Sequence, residues 1–400
     1  MNDRKARNRK IYIGVIFISL VLLYAGVFLF RKPDYSSETA NISYDSSEQV
    51  EDAAKNYNNN PNQNPIEYKH IRTEINGYKQ EIHILEVDLS DDRADVMPVL
   101  SFDKVYGFDL LSNMAREHNA YAAVNAGFFH KYGQPSGMVV LGGKMYTGST
   151  GRYPVLLISD GRAYLKEIQT EYFIEYNNSR FYIDNINQPA KNGEKVLYTP
   201  EYGSSNRLDI NNLTAVIQKG RVKEISRMSG ECSIPDDGML LSAVLPAGGD
   251  ESVFPFKVGD EVNFRYLPYL GPNAHAYECG SWIVKDGEIV IGETDEWVGV
   301  MTNRDPRTAV GVMDDGAVVF IVVDGRQPGF SAGLKGKELG EFILGYGIKN
   351  AAMLDGGASS EMILNGKIVN RPSFNGQERP IAGAFIITYR NNAAEEAGQE

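Results

Sequence analysis

From about residue 67 to 390, short apolar runs alternate with turn signals built on glycine. VVLGGKMY (139–146), VLLISDGRAYL (155–165), AVIQKGRVKEI (215–225), WIVKDGEIVI (282–291), GVMDDGAVVFIVV (311–323) and MILNGKIV (362–369) each place a Gly-containing pair between two apolar runs. Such pairs accept the positive φ angles of tight turns, so each stretch predicts a β-hairpin. Their regularity argues for antiparallel or mixed sheet and against alternating βαβ units. Helical spacing is rare. It occurs in FDLLSNMAREHN (108–119), through Leu110, Leu111, Met114 and Ala115 with Asp109 as candidate N-cap, and in KGKELGEFILGYG (335–347), through Leu339, Phe342, Ile343 and Tyr346. The expected fold is α+β, mostly antiparallel or mixed sheet with hairpins and a few covering helices. The Tyr- and Asn-rich stretch 170–215 reads as an insertion or second lobe, and no clean boundary divides 67–390.

The N-terminus breaks this pattern. Residues 11–30, IYIGVIFISLVLLYAGVFLF, carry no charge and would span about 30 Å as a helix. Arg4, Lys5, Arg7, Arg9 and Lys10 precede the run, and only Arg31 and Lys32 follow closely. This asymmetry predicts a single-pass transmembrane anchor with residues 1–10 cytoplasmic and the remainder extracellular, at the cell membrane. A cleaved signal peptide fits less well, because the run is long and FLFRKPD lacks a small-residue cleavage pattern. Residues 31–66 are polar and acidic, too poor in apolar surface to fold, and read as a disordered stalk; 391–400 read as a disordered tail. The globular region is then 67–390.

The chain has a net charge of −12, and seven of its 40 basic residues lie within the first 32 positions. An exterior this acidic excludes nucleic acid as a natural partner. Cys232 and Cys279 are the only cysteines; they allow one disulfide, but sequence does not give their separation. His70, His83, His118, His130 and His275 show no metal-ligand spacing.

Four segments share one grammar, an apolar run ending abruptly in polar residues and glycine: AAVNAGFF (122–129), NRDPRTAVG (303–311), VVDGRQPGFSAGL (322–334) and AAMLDGGASSEM (351–362). Strand ends present side chains and free N–H groups together, which suits an anion or a sugar. Pro306 stiffens the chain before Arg307 and Thr308, favouring a bidentate grip on phosphate. Asn125, ahead of Gly127, can donate and accept at once. Gly356 and Gly357 permit close approach of a ligand to the backbone, with Asp355, Ser359 and Ser360 facing it and Glu361 nearby. Phe128 and Phe129 are candidate sugar-stacking rings.

Together AVNAGFF, RDPRTAVGV, VVDGR…GFSAGL and LDGGASSEM, with the tail VNRPS…ERPIAGAF, resemble the phosphodiester glycosidase family over roughly residues 80–390. Ala358 and Glu361 depart from the commonest family form, which has Gly and Thr there. The resemblance implies an extracellular hydrolase that cleaves a sugar-1-phosphodiester at the anomeric carbon, giving free sugar and phosphomonoester, on a phosphodiester-linked cell-surface or exopolysaccharide glycopolymer. Under it, Asp324 or Asp355 is nucleophile or base, within the two-carboxylate logic of glycoside hydrolysis. Arg307 and Arg326 form the phosphate clamp, and Asn125, Ser359 and Ser360 orient oxygens. No cofactor is demanded, although clustered carboxylates would suit calcium. Two other classes compete: a non-catalytic glycopolymer-binding or assembly protein, and a glycosyl-phosphate transferase.

Overall fold

A computed structural model describes residues 64–245 and 252–390. The expectations for residues 1–10, 11–30, most of the stalk and 391–400 fall outside these residues. Among the described residues no helix is long and apolar enough to cross a membrane.

All six expected hairpins form as antiparallel pairs. In the tightest, both turn residues are left-handed, as at Asp160 and Gly161 (φ 53° and 69°) or Asn365 and Gly366 (φ 50° and 70°). A seven-stranded antiparallel sheet runs in the order Ile66–Ile75, Tyr78–Val87, Val318–Val323, Arg307–Val312, Asn350–Met353, Trp282–Lys285, Glu288–Ile289. A five-stranded antiparallel sheet runs Lys367–Ile368, Met362–Leu364, Ala122–Asn125, Gly383–Tyr389, Ala94–Leu100.

The period-two alternation of strands decides what lies between them. Val310, Phe320, Val322 and Ala352 of the first sheet meet Val124, Met362, Phe385 and Ile387 of the second in one core. The alternate residues Ala309, Val319, Ile321 and Met353 pack beneath Leu339, Phe342 and Ile343 of the helix Gly336–Gly345. On the outer face of the second sheet, Ala123, Ile363 and Ile386 pack beneath Leu111, Met114 and Ala115 of the helix Leu111–Glu117. The result is a helix–sheet–sheet–helix sandwich. Burial on both faces is why VVFIVV (318–323) is a continuous apolar run. The expected cap moves by one residue: Leu110 caps the helix, while Asp109 accepts hydrogen bonds from the Leu110 N–H and the Asn113 amide.

A third sheet, with strands Lys144–Thr147, Val139–Leu141, His275–Glu278, Pro154–Ser159 and Arg162–Glu167, lies beside the sandwich. Val139, Leu156, Ile158 and Tyr277 face the sandwich core, and Val140, Val155, Leu157 and Ala276 face a second core. That second core is closed by strands between Glu171 and Leu267, so the second lobe is larger than the stretch 170–215 that composition singled out. It holds a parallel pair, Asn185–Ile186 with Lys195–Tyr198. Cys232 and Cys279 are both free and belong to different clusters, so the allowed disulfide does not form.

Candidate active site

The strands Ala122–Asn125, Val318–Val323 and Asn350–Met353 all end, and Arg307–Val312 begins, at one edge of the sandwich, and one amide ties much of that edge together. Asn125 is buried. Its Nδ2 donates to the Asp355 carbonyl at 2.6 Å, and its Oδ1 accepts from Thr308 Oγ1 at 3.0 Å and from the Glu361 N–H at 3.1 Å. The fourth segment joins through Asn370, whose Nδ2 donates to Asp324 Oδ1 at 3.0 Å and to the Ser360 carbonyl at 3.1 Å. The four motifs therefore converge. Asn125 and Thr308, expected to contact substrate, are instead consumed in holding the motifs together, because every strong hydrogen-bonding direction of the amide is filled by protein. Gly127 is likewise a packing residue: a Cβ there would stand 2.8 Å from the Tyr277 ring.

Two further expectations are corrected. Arg307 is 1% exposed and lies on the helix side of its strand, with Ala309. Its Nε donates to the Leu334 carbonyl at 2.9 Å and its Nη2 to the Asn303 carbonyl at 3.0 Å. It is a brace for the loops around 303 and 334 and not part of a phosphate clamp, since alternation turns it away from the edge where Thr308 meets Asn125. Arg307→Met should lower stability by about 2–5 kcal/mol, because two buried carbonyls lose their donor. The denaturation midpoint reads this, while KM of the folded fraction stays near the parent value; normal stability with a raised KM would restore the clamp. Asp324 is also buried, its carboxylate accepting from Asn370 and from the Arg371 N–H at 3.0–3.1 Å, with His83 Nε2 3.5 Å away. These contacts make Asp324 the anchor of the 370–380 loop and leave it unexposed to a substrate.

Asp355 is different. Following the buried strand Asn350–Met353, it is half-buried, and burial pushes its carboxyl up from the usual carboxylate range to about 6. The Ser359 hydroxyl, the Arg379 guanidinium and the Gly356 N–H act in the opposite direction, favouring the charge. The turn after Asp355 is shaped by the glycines: a Cβ on Gly356 would stand 3.1 Å from the Pro306 carbonyl oxygen. Gly357 adopts φ +62°, and a Cβ there would lie 3.3 Å from Arg326 Nη2. Both glycines accommodate neighbouring protein groups. Arg326 is itself half-exposed, held by Nε donation to Asp305 Oδ1 at 2.8 Å. A carboxylate pushed up by burial, with the Arg379 charge acting on it and the Arg326 guanidinium against Gly357 two residues on, thus lies at the sandwich edge.

Glu361 is 1% exposed, and desolvation, reinforced by the nearby Glu378 carboxylate, pushes its carboxyl up to about 9. Glu378 in turn accepts from the Ser112 N–H at 2.8 Å and the Ser112 hydroxyl at 2.6 Å. The buried Glu361 carboxyl holds a proton that the unfolded chain releases above about pH 4.5, so it costs stability as pH rises from there towards 9. Glu361→Gln keeps a neutral donor in place. It should be more stable than the parent by roughly 1–3 kcal/mol at about pH 8 and equal to it near pH 4. Urea midpoints at the two pH values decide it; equal midpoints at both would mean that the buried Glu361 carboxyl holds no proton. Ser359 and Ser360 are both buried, and neither hydroxyl makes a well-formed hydrogen bond among the described residues.

Sequence reasoning gave no role to Arg379, Glu378, Asn370 or His83. Arg379 did carry a signal, since Pro380 stiffens the chain beside it as Pro306 does beside Arg307. Phe128 is buried and stacked on Trp297 with ring centroids 5.6 Å apart, so only Phe129 remains near the surface. Among the described residues, no three or more His, Cys, Asp or Glu side chains are grouped as a metal site would require.

Residues 211–388 match the family described as phosphodiester glycosidase. The chain is 34% identical over 115 residues to the SPbeta prophage-derived uncharacterized protein YomE of Bacillus subtilis (strain 168), covering 29% of this chain and 17% of that protein. It is 28% identical over 175 residues to N-acetylglucosamine-1-phosphodiester alpha-N-acetylglucosaminidase of Mus musculus, covering 38% and 32%. These matches span less than a third of the length of either relative. A crystal structure of a hypothetical protein from Synechocystis shares the fold, with a TM-score of 0.69 at 21% identity, covering 82% of this chain and 62% of that one.

Proposed function

We propose that this chain, whose residues 211–388 match the phosphodiester glycosidase family, hydrolyses a sugar-1-phosphodiester at the anomeric carbon, releasing free sugar and a phosphomonoester. The observation that carries the reading is Asp355, half-buried at the edge where the four motifs meet, with its carboxyl pushed up to about 6 by burial and the Arg379 guanidinium near enough to draw it back down. A carboxylate of this kind is mostly ionised at neutral pH yet basic enough to serve as nucleophile or as base for water. The departing group is a phosphate ester, already stable as an anion. Cations that grip it replace the strong protonation ordinary glycosides need, so one carboxylate with two guanidinium groups suffices. Arg379 and Arg326 fill that role in place of Arg307, with the Ser359 hydroxyl steadying the Asp355 charge.

The substrate is a phosphodiester-linked glycopolymer of the cell surface or an exopolysaccharide, met by an outward-facing protein held at the membrane by residues 11–30. The test is turnover of a synthetic sugar-1-phosphodiester by the full-length protein, with free sugar and phosphomonoester quantified together. Acceptor-dependent transfer would indicate the transferase, and saturable binding without turnover the binding protein; either result overturns hydrolysis.

A further inference from the structure

Among the described residues, no hydrogen bond or ion pair holds the Arg379 guanidinium; it lies 5.6 Å from the Phe129 ring centroid and within electrostatic reach of Asp355. Arg307, by contrast, is fixed by two carbonyls. The place of Arg379 is therefore set by the backbone on either side of it.

Upstream that backbone has little support. Residues 374–377 are exposed, and Asn375 and Gly376 form a left-handed pair (φ 55° and 73°) with open space around Gly376. Glu378 is the fixed point that follows this turn. Its carboxylate accepts from both donors of Ser112, the N–H at 2.8 Å and the hydroxyl at 2.6 Å. Ser112 stands in the first turn of the helix Leu111–Glu117, where N–H groups have no partner within the helix, and Leu110 at the cap offers no side-chain acceptor. Glu378 supplies one from 266 residues away, and its charge makes both bonds strong. The helix is a firm base, because Leu111, Met114 and Ala115 are buried against the second sheet. Downstream, Pro380 fixes its own φ. Ile381 then exchanges hydrogen bonds with Asp109 in both directions, at 2.8 and 3.0 Å, and its carbonyl also accepts from the Ser101 hydroxyl at 2.8 Å.

We propose that Glu378 is a positioning residue: bound to Ser112, it holds the backbone so that the guanidinium of Arg379 reaches the side of Asp355. The effect on rate rests on the hydrolase reading; the clamp itself does not. A role through charge alone has the opposite sign. Glu378 is an anion beside Arg379, so removing its charge with nothing else changed would ease ionisation of Asp355. Removing it as a clamp lets the guanidinium drift away and makes Asp355 harder to ionise. Asp355 is otherwise faced by Ser359 and the Gly356 N–H of its own turn and by Tyr277 of the third sheet, whose hydroxyl is pushed up by burial and stays neutral.

The test compares Glu378→Ala, Glu378→Gln and Ser112→Ala with the parent, using the full-length protein and a synthetic sugar-1-phosphodiester. Glu378→Ala should lower kcat/KM by about 10- to 10²-fold, as misplacement of a group at a site does. It should also move the acid limb of the rate profile upward. Ser112→Ala, which leaves every charge in place, should move the limb the same way by less. Glu378→Gln keeps one acceptor for Ser112 and should recover part of the rate. Adding Glu378→Ala to Arg379→Ala should cost nothing further, since the two act as a unit. A limb that stays or moves down, or a full extra loss in the double variant, overturns the assignment and leaves the hydrolase reading intact. If the parent itself cleaves no diester, the hydrolase reading fails, and the ¹³C carboxyl resonance of Asp355, identified by its loss in Asp355→Asn, decides the clamp. A titration midpoint higher in Glu378→Ala and Ser112→Ala than in the parent supports it, and an unmoved or lower one rejects it. Circular dichroism checks each fold, and Ser112→Ala, the milder change, carries the test if Glu378→Ala does not fold.

Discussion

Asp355→Asn should lower kcat by about 10³-fold or more and at the same time raise the melting temperature at neutral pH. The first effect follows, under the proposed hydrolysis, from removing the carboxylate assigned to the anomeric carbon, since an amide neither attacks nor accepts a proton at this pH. The second follows from linkage. Burial raises the Asp355 carboxyl from 3.8 to about 6, so the folded chain holds a proton that the unfolded chain has released. Stability from this group is complete below about pH 3.8 and declines as pH rises through 6. The uncharged amide does not suffer that decline. Its gain is on the order of 1–3 kcal/mol at pH 7 and vanishes near pH 3.5. A dead enzyme that melts higher at pH 7, but not in acid, is the combined signature. A variant that is equally inactive and less stable at pH 7 would mean that Asp355 supports the fold and not the reaction. In the parent, kcat/KM should fall as pH drops below about 6, because the working form is the ionised one.

Arg379→Ala should lower kcat/KM by about 10²- to 10³-fold, the loss expected when a cation facing developing negative charge is removed. A second consequence separates this from a general defect. Arg379 draws the Asp355 carboxyl downward, so its removal should move the acid limb of the rate profile above its parent position. Arg379→Lys keeps the charge but not the planar fork, so it should return the limb towards the parent position and recover only part of the rate. Loss of rate with an unmoved limb would place Arg379 outside the site. Arg307→Met serves as the control, with its effect confined to stability.

The fold was legible where local chemistry dominates. Turn pairs such as Asp160-Gly161 and Asn365-Gly366 set hairpins that no long-range contact had to specify. The convergence of four strand ends was legible too, because abrupt changes from apolar to polar residues recur where sheets stop. The direction of individual side chains was not. Arg307 and Thr308 are neighbours in sequence, but pleating sends them to opposite faces, and only the position of the Gly336–Gly345 helix shows which face is closed. Asp324 and Asp355 look alike as strand-end carboxylates. They part because Asn370 and Arg371, some 46 residues beyond Asp324, return to cover it. The second lobe was underestimated because its strands alternate no differently from those of the sandwich.

The third sheet gives one face to each of two interiors, through Tyr277 and Leu156 on one side and Ala276 and Leu157 on the other. It is a party wall. Neither lobe can be excised at a linker and keep its own dry boundary, because the cut would strip a row of greasy side chains of its cover. Anyone shortening this protein for use has therefore to leave both described stretches, 64–245 and 252–390, together around that wall.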